Sequence, residues 1–525
     1  MKKVWKKSVL ACLLAGVMVL STACHGGKKN EVKTDIDLSS YPIKTDVSLS
    51  YFLPLRNTLA GKAENFSETP FAQQWQEKTG VKMEYMHSAV GQEMEMLSLL
   101  VASDELPDII QSIWISYSGG VASALDDNVI IDIGQYKEYA PAYFKKLADN
   151  KEWDKASKTD DGRYYGFQAI EGDSALRSTA GPILRADWLQ ELGLEVPETI
   201  DEWEAVLTAF RDKKGAKAPL SSVFTNASFY HMFETPGSLY IDGNEYKHGA
   251  FEAEYKRALT TLNDWFKKGL LDKNIVSVDA KTLDSQILTN QTGAFVDSGG
   301  NMGRYLQAAA NESFDLVAAK YPTYENGAKS TAAIPNVAVS GKFATAISGQ
   351  CKYPQLAAKV LDYLYTEEGE LFANFGIEGE TYTMKDGKPT YTDLITNNSK
   401  GLSMKEALGW YVYAGTKGPY ECSKEYIYQF YGLPQQQQCL DVWQENFSER
   451  EKHSSVPVTL SVDDAQEAAD ILAELNTHIS SMKAKFITGV EPIENFDSYV
   501  EKAKDMGLDR LLEIYTDALK RYNNR

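Results

Sequence analysis

Residues 356–391 read LAAKVLDYLYTEEGELFANFGIEGETYTMKDGKPTY. The pattern predicts two helices and a hairpin. Leu356, Val360, Leu361 and Leu364 recur at helical spacing and make one apolar face. Thr366 is an N-cap for the second helix, with Glu367 and Glu368 in its first turn, where the helix dipole favours carboxylates. Phe372 and Phe375 fall on the apolar side, and Gly376 supplies the stop. Asp386-Gly387, between YTMK and KPTY, is a two-residue hairpin turn.

The wording of this stretch resembles "DYLYSEEG…NFGIEGETY…DGKPxYTD" of the extracellular solute-binding proteins of ABC sugar importers, family 1, and within them the large lipoprotein branch of Gram-positive bacteria. Residues 99–110 (LLVASDELPDII), 181–210 (GPILRADWLQELGLEVPETIDEWEAVLTAF) and 489–523 carry the same resemblance, so it spreads over nearly the whole chain. It implies an α/β, two-lobed periplasmic-binding-protein-like fold of type II, with a hinge and extra C-terminal helices.

The N-terminus bears on the compartment. Lys2, Lys3, Lys6 and Lys7 precede a short apolar run, 9–20, that is short for a bilayer span. LSTAC, ending at Cys24, resembles a bacterial lipobox, with Ser21 where Leu is usual. Lipid on Cys24 would hold the body outside the membrane and close to it. Residues 25–46 are polar and read as a flexible tether. The formal charge is −19, and it becomes −23 once the four lysines of residues 1–23 leave. So acidic a chain lacks the basic footprint that nucleic acid requires. Cys351, Cys422 and Cys439 remain, and two readings stand: a Cys422–Cys439 disulfide, or buried free thiols.

Read in order, 47–53 alternates as a first strand. Thr69-Pro70 opens a helix that Gly80 closes, Val81, Met83 and Tyr85 mark a second strand, and 106–110 a third. That is a βαβαβ lobe with a mostly parallel sheet. Residues past the carboxyl end of the third strand, 111–117, face the crevice of such a fold. Trp114 is the largest side chain there, either a ligand contact or a packed loop residue. DGRYYGF, 161–167, reads as a turn and a strand, with Tyr165 a ligand contact or a core residue. Residues 182–185 form a short strand ending in Arg185, which reaches ligand or pairs with a carboxylate. Thr199 and Glu202 make a capping box for a helix that buries Ile200, Trp203, Val206, Leu207 and Phe210. Relatives often continue with an EF-hand-like loop. Here RDKKGAKAPL, 211–220, has one carboxylate and four basic residues, and no calcium is expected. QTGAFVDSGGNMG, 291–303, reads as a strand running into a Gly-rich loop, with Asp297 either accepting sugar hydroxyls or closing an Asx turn. Residues 334–347 should return the chain to the first lobe. Trp410 is the stacking candidate implied by resemblance to binding proteins with a late aromatic.

HExxH, G-x-S-x-G and G-x-x-x-x-G-K-[ST] are missing, and six histidines show no metal spacing. The chain is therefore expected to carry a ligand without transforming it, with no cofactor and no metal. The domains expected are a signal peptide, 1–23; a tether, 24–46; lobe 1, 47–176 and 338–392; lobe 2, 177–337 and 393–480; and a helical tail, 481–525. The resemblance implies an oligosaccharide ligand met by Trp114, Tyr165, Arg185, Asp297 and Trp410. Its further partners would be ABC permease subunits and, through Cys24, the extracellular face of the cell membrane. No nucleic acid is expected, and the receptor should be a monomer. A peptide-binding lipoprotein and a surface glycan-capture protein without a transporter are the alternatives.

Overall fold

The computed structural model describes residues 36–525 other than Ala60 and Val90. The signal peptide, Cys24 and the first part of the tether lie outside the described residues. The rest of the tether is docked, a correction to the coil expected over 24–46. Ile43 is buried and its N–H donates to Thr79 O at 2.8 Å. Tyr41 O–H donates to Lys359 O at 2.6 Å, and its ring meets Tyr363 edge-on at 5.1 Å. Apolar side chains in this stretch find cover, so the chain settles on the body.

Strands β1 (Ser48–Phe52), β2 (Lys82–Met86) and β3 (Ile109–Ile113) run parallel with β1 in the middle. The helix Pro70–Thr79 between β1 and β2 starts and stops as its sequence dictates. Thr69 Oγ1 accepts the Ala72 N–H, Pro70 takes the first position, and Gly80 turns left-handed at φ 76°. The third strand begins three residues later than its expected start. Pro107 lacks an N–H, and Asp108 instead accepts the Ser50 N–H at 2.8 Å.

The second sheet holds β4 (Ala180–Arg185), β5 (Leu220–Ser221), β8 (Ala294–Ser298) and β9 (Leu316–Ala318) in the order β5-β8-β4-β9, with β4 antiparallel to its neighbours. A ribbon of β6 (Leu239–Asp242) and β7 (Glu245–His248) stands apart from it. Then β10 (Phe343–Ile347) returns to the first sheet and pairs antiparallel with β3, Phe343 opposite Ile113. The hairpin of β11 (Tyr382–Lys385) and β12 (Lys388–Tyr391) follows, turning at Asp386-Gly387 as read from the sequence. The helices Pro354–Asp362 and Glu367–Phe375 are present, the second capped by Thr366 and ended at Gly376.

Two bodies result, each with its own core. The first core gathers Leu49, Tyr51, Trp75, Ile109 and Phe372. The second gathers Trp188, Trp203, Phe229 and Trp265. Residues 393–431, expected in the second lobe, pack in the first core through Ile395, Leu408, Tyr413 and Tyr426. The C-terminal helices Phe496–Asp505 and Leu508–Asn523 bury Phe496, Tyr499 and Leu511 in the second core, so the tail is part of that body. Residues 299–303 are not a loop but the start of the helix Gly299–Ala308, capped by Ser298. Residues 161–167 form no strand of either sheet; Phe167 only bridges Thr345.

The chain crosses between the bodies near 177–180, 338–343 and 431–434, and the crossings are tied together. Arg177 Nε donates to Asn336 O at 2.6 Å, pairs with Glu451 at 2.6 Å and covers the Phe447 ring. The last residue reaches back to the first body, where Arg525 Nη2 meets Asp160 at 2.7 Å and Nη1 donates to Lys155 O at 2.8 Å. Cys351, Cys422 and Cys439 are free thiols, which decides between the two readings.

Candidate ligand cleft

Sheet topology places the cleft. The amino end of β4 is where the chain enters the second body. Because Ala180 lies opposite Ser298, the carboxyl end of β8 shares that boundary, as does that of β5, parallel to β8. In the first sheet the chain returns at Phe343, opposite Ile113, so the carboxyl ends of β1, β2 and β3 face the same boundary. Strand ends at such a crevice are where α/β folds bind ligands.

The first edge is built around Arg56, just past β1. Its Nη1 donates to Val412 O at 2.7 Å and Gly409 O at 3.4 Å, carbonyls at the end of the helix Met404–Tyr411. A cation there suits the negative end of the helix. The guanidinium lies over the Tyr413 ring at 5.2 Å, and its Nη2 is buried without a partner. This contact fixes the end of the helix that carries Trp410 and Tyr411, which pack against the first core. Both are half-buried, and among the described residues neither the indole N–H nor the phenol O–H has an acceptor. Where the chain leaves β1, His87 is a neutral staple: Nδ1–H donates to Leu53 O at 2.9 Å, Nε2 accepts the Phe66 N–H, and burial lowers its pKa.

The second edge is built around Asp297, at the carboxyl end of β8. Oδ1 accepts from Ser298 N–H at 2.7 Å and Asn301 Nδ2 at 2.8 Å; Oδ2 accepts from Tyr305 O–H at 2.8 Å. Burial, with the Asp297 and Asp284 carboxylates beside it, pushes the Tyr305 hydroxyl far up, so it stays a donor whose one proton the two carboxylates share. Gly299 follows because the boundary is tight: a Cβ there would lie 2.7 Å from the Tyr431 ring of the first core. Burial raises the Tyr431 hydroxyl to about 12.

Asp297 stands at the carboxyl end of β8 and Trp410 on the helix whose end Arg56 holds, with no direct bond between them, and three expected contacts are corrected. Trp114 is fully buried, packed with Phe52, Leu97 and Ala346, and its Nε1–H donates to Ala344 O at 3.0 Å. The chain turns inward after β3, because a strand arriving from far downstream offers the indole both cover and an acceptor. Tyr165 is buried, its hydroxyl donating to Gly341 O at 3.0 Å, so it braces a crossing. Arg185 stands at the far end of β4, forked onto Asp187 at 2.8 and 2.6 Å and sandwiched between Trp188 and Phe314. Arg56 and Tyr411 were missed, although Arg56 follows a strand end and the rule that singled out Trp114 applies to it too.

A cavity of about 630 Å³ lies within the first body beside the helices Glu367–Phe375 and Lys424–Phe430. Asp173, Glu367 and Glu425 line it, and Lys146 ties Glu370 to Glu421. It is a groove of the first body, not the boundary. Asp212, the one carboxylate of 211–220, is held by Arg211 at 2.7 Å. Among the described residues no group of three or more His, Cys, Asp or Glu could hold a metal ion.

A family model described as bacterial extracellular solute-binding protein matches residues 62–371, more than half of the chain. Lipoprotein LipO of Bacillus subtilis is 23% identical over 444 residues, covering 80% of this chain and 82% of LipO. The fructooligosaccharide ABC transporter substrate-binding protein FusA of Streptococcus pneumoniae is 24% identical over 540 residues, 98% of this chain and 97% of FusA. An HMO-binding ABC-transporter-associated solute-binding protein from Bifidobacterium longum infantis has a TM-score of 0.72 over 90% of this chain and 98% of its own, at 15% identity. That likeness is one of fold, two α/β bodies of the type II arrangement. With the family match running through both bodies, the chain belongs to the bacterial extracellular solute-binding proteins, which bind their ligands without transforming them.

Proposed function

We propose that this chain is a lipid-anchored extracellular receptor that captures a carbohydrate, an oligosaccharide in particular, and delivers it to the permease subunits of an ABC importer. The observation that carries this reading is the Trp410–Tyr411 pair: two half-buried aromatics on the helix end that Arg56 holds, with an N–H and an O–H that have no partner among the described residues. Aromatic faces pack on the C–H faces of sugar rings while their polar ends meet hydroxyls. Asp297 supports it from the other body, since a carboxylate has about four acceptor sites and two are taken by Ser298 and Asn301, with Tyr305 shared between Asp297 and Asp284. Ligand held from both edges favours the closed arrangement of a hinged pair, because only differential affinity shifts that equilibrium. The full-length match to a fructooligosaccharide-binding relative supports the cargo class, and the name of LipO supports the anchor. Lipid on Cys24 would tie the body to the membrane surface. The receptor would act as a monomer on the extracellular face of the cell membrane.

The test is calorimetry and thermal shift on the chain from Ile36, against neutral oligosaccharides and short peptides. An oligosaccharide should raise the melting temperature. Trp410→Ala should weaken its binding about 30-fold, the roughly 2 kcal/mol of a central aromatic anchor, while the free variant still melts cooperatively. Unchanged affinity in Trp410→Ala sinks the cleft assignment, and shifts with peptides alone replace the cargo.

A further inference from the structure

We infer that the second body carries a carboxylate-binding pocket built on Lys483, apart from the cleft between the bodies. The helix Val462–Thr488 turns Asn476, Ser480 and Lys483 toward one cavity of about 180 Å³. Thr225, Tyr230 and His248 stand across from them, and every lining residue belongs to the second body. Taking about 30 Å³ per water, the cavity has room for about six waters, or one small organic group.

Lys483 is the reason to expect an anion. It is only 9% exposed, yet no carboxylate pairs with it among the described residues. Its ammonium lies over the rings of Phe224 at 4.4 Å and Tyr230 at 4.3 Å, and makes one long bond, to Phe224 O at 3.4 Å. A lysine has three donors, so two are unused. Arg185, by contrast, holds Asp187, and Arg450, although its Nε is buried without a partner, still donates to Ala333 O, Trp443 O and Ser178. A desolvated charge without a partner is costly, and the cost lowers the Lys483 pKa to about 8, which still leaves it charged at neutral pH.

The neighbouring groups are donors as well. His248 Nδ1 accepts the Ala250 N–H at 3.3 Å, which puts the proton on Nε2. Burial holds this imidazole neutral, with a pKa near 4, so Nε2–H is a donor with no protein acceptor. The side chains of Thr225, Asn476 and Ser480 at the open rim are also uncommitted. No Asp or Glu lines the cavity. One buried positive charge balances one negative charge, whereas a dianion would leave a second charge desolvated and unmatched. A carboxylate fits: one charge, two oxygens for several donors, and a body larger than a halide to fill the space.

The full chain is titrated calorimetrically in chloride-free buffer with sodium acetate, sodium D-galacturonate, D-galactose and sodium chloride. Acetate and galacturonate should each bind once per chain, galactose should give no heat, and chloride should be at least tenfold weaker. Lys483→Met should lose at least tenfold for both carboxylates, and Ser480→Ala, on the exposed rim where folding is not at stake, about threefold. Trp410→Ala should bind carboxylates like the wild type, which separates this pocket from the cleft. Galacturonate tenfold tighter than acetate assigns the pocket to an acidic sugar, and equal binding assigns it to a free carboxylate; both outcomes support it. No heat with either carboxylate, wild-type binding in both Lys483→Met and Ser480→Ala, or chloride as tight as acetate overturns it.

Discussion

Asp362 lies beneath the start of the helix Pro141–Asp149, where Oδ1 accepts the Tyr143 N–H at 2.8 Å and Oδ2 the Ala142 N–H at 3.3 Å. Burial pushes its carboxyl from 3.8 up to about 6, against the opposing pull of those two N–H groups and Lys359. Between these two values the folded state holds a proton that the unfolded state has lost. This residue's contribution to stability is therefore full below about pH 4, falls as pH rises through 6, and is absent above. Asp362→Asn should remove the slope, so that the difference in urea stability between wild type and variant changes by up to about 3 kcal/mol from pH 4 to 7. A constant difference across that range would show that the carboxyl titrates normally. Single residues were also where the sequence was least legible as a site. Trp114, Tyr165 and Arg185 have the right chemistry for a ligand, but their polar atoms are taken by Ala344, Gly341 and Asp187. Two of those partners are distant in the chain, and no local pattern shows them.

At the scale of elements, local chemistry was legible wherever a cap or turn is decided within four residues. Thr69-Pro70, the Thr199–Glu202 capping box and Asp386-Gly387 all sit where their sequence puts them. Position 369 was not legible. Thr366 Oγ1 accepts the Gly369 N–H at 3.0 Å, an ordinary N-cap bond. A Cβ on Gly369, however, would stand 1.7 Å from Tyr363 O and 2.9 Å from the Leu364 Cα, both backbone atoms of the preceding turn. Close packing there, not conformational freedom, demands glycine. Thr366→Ala should cost about 1 kcal/mol. Gly369→Ala should cost more, upward of about 3 kcal/mol, because overpacking against backbone exceeds the usual range for side chains. Denaturant midpoints order the two, and equal losses would mean that the helix Glu367–Phe375 shifts freely. The Gly-rich run 299–303 misled for a related reason: its glycines give room for Tyr431 and Gln436, not loop flexibility.

For the whole molecule, the contact between the C-terminus and the first body bears on how the two halves sit. Asp160 receives Arg525 and also Arg521 at 2.9 Å, and the Arg525 side chain is almost wholly buried. Breaking one side of a fully buried pair costs 3–5 kcal/mol. Asp160 is partly exposed, which lowers the expectation for Asp160→Asn to about 1–3 kcal/mol. The radius of gyration of the ligand-free protein should also rise in small-angle scattering, since the bond spans both bodies. A second change, Arg525→Gln, should add less than its own separate cost; strict additivity with an unchanged scattering curve counts against a cross-body brace. The return of β10 to β3 has a different consequence, one of timing. The Trp114 acceptor, Ala344, is 230 residues downstream. At about 5–20 residues per second, roughly 10–50 s of synthesis separate the tryptophan from its partner. Through that interval β3 is an open strand edge, a template for wrong pairing. The nascent chain therefore needs either delayed folding or a chaperone until residue 347 has been made, and a fragment ending before residue 343 should aggregate when expressed.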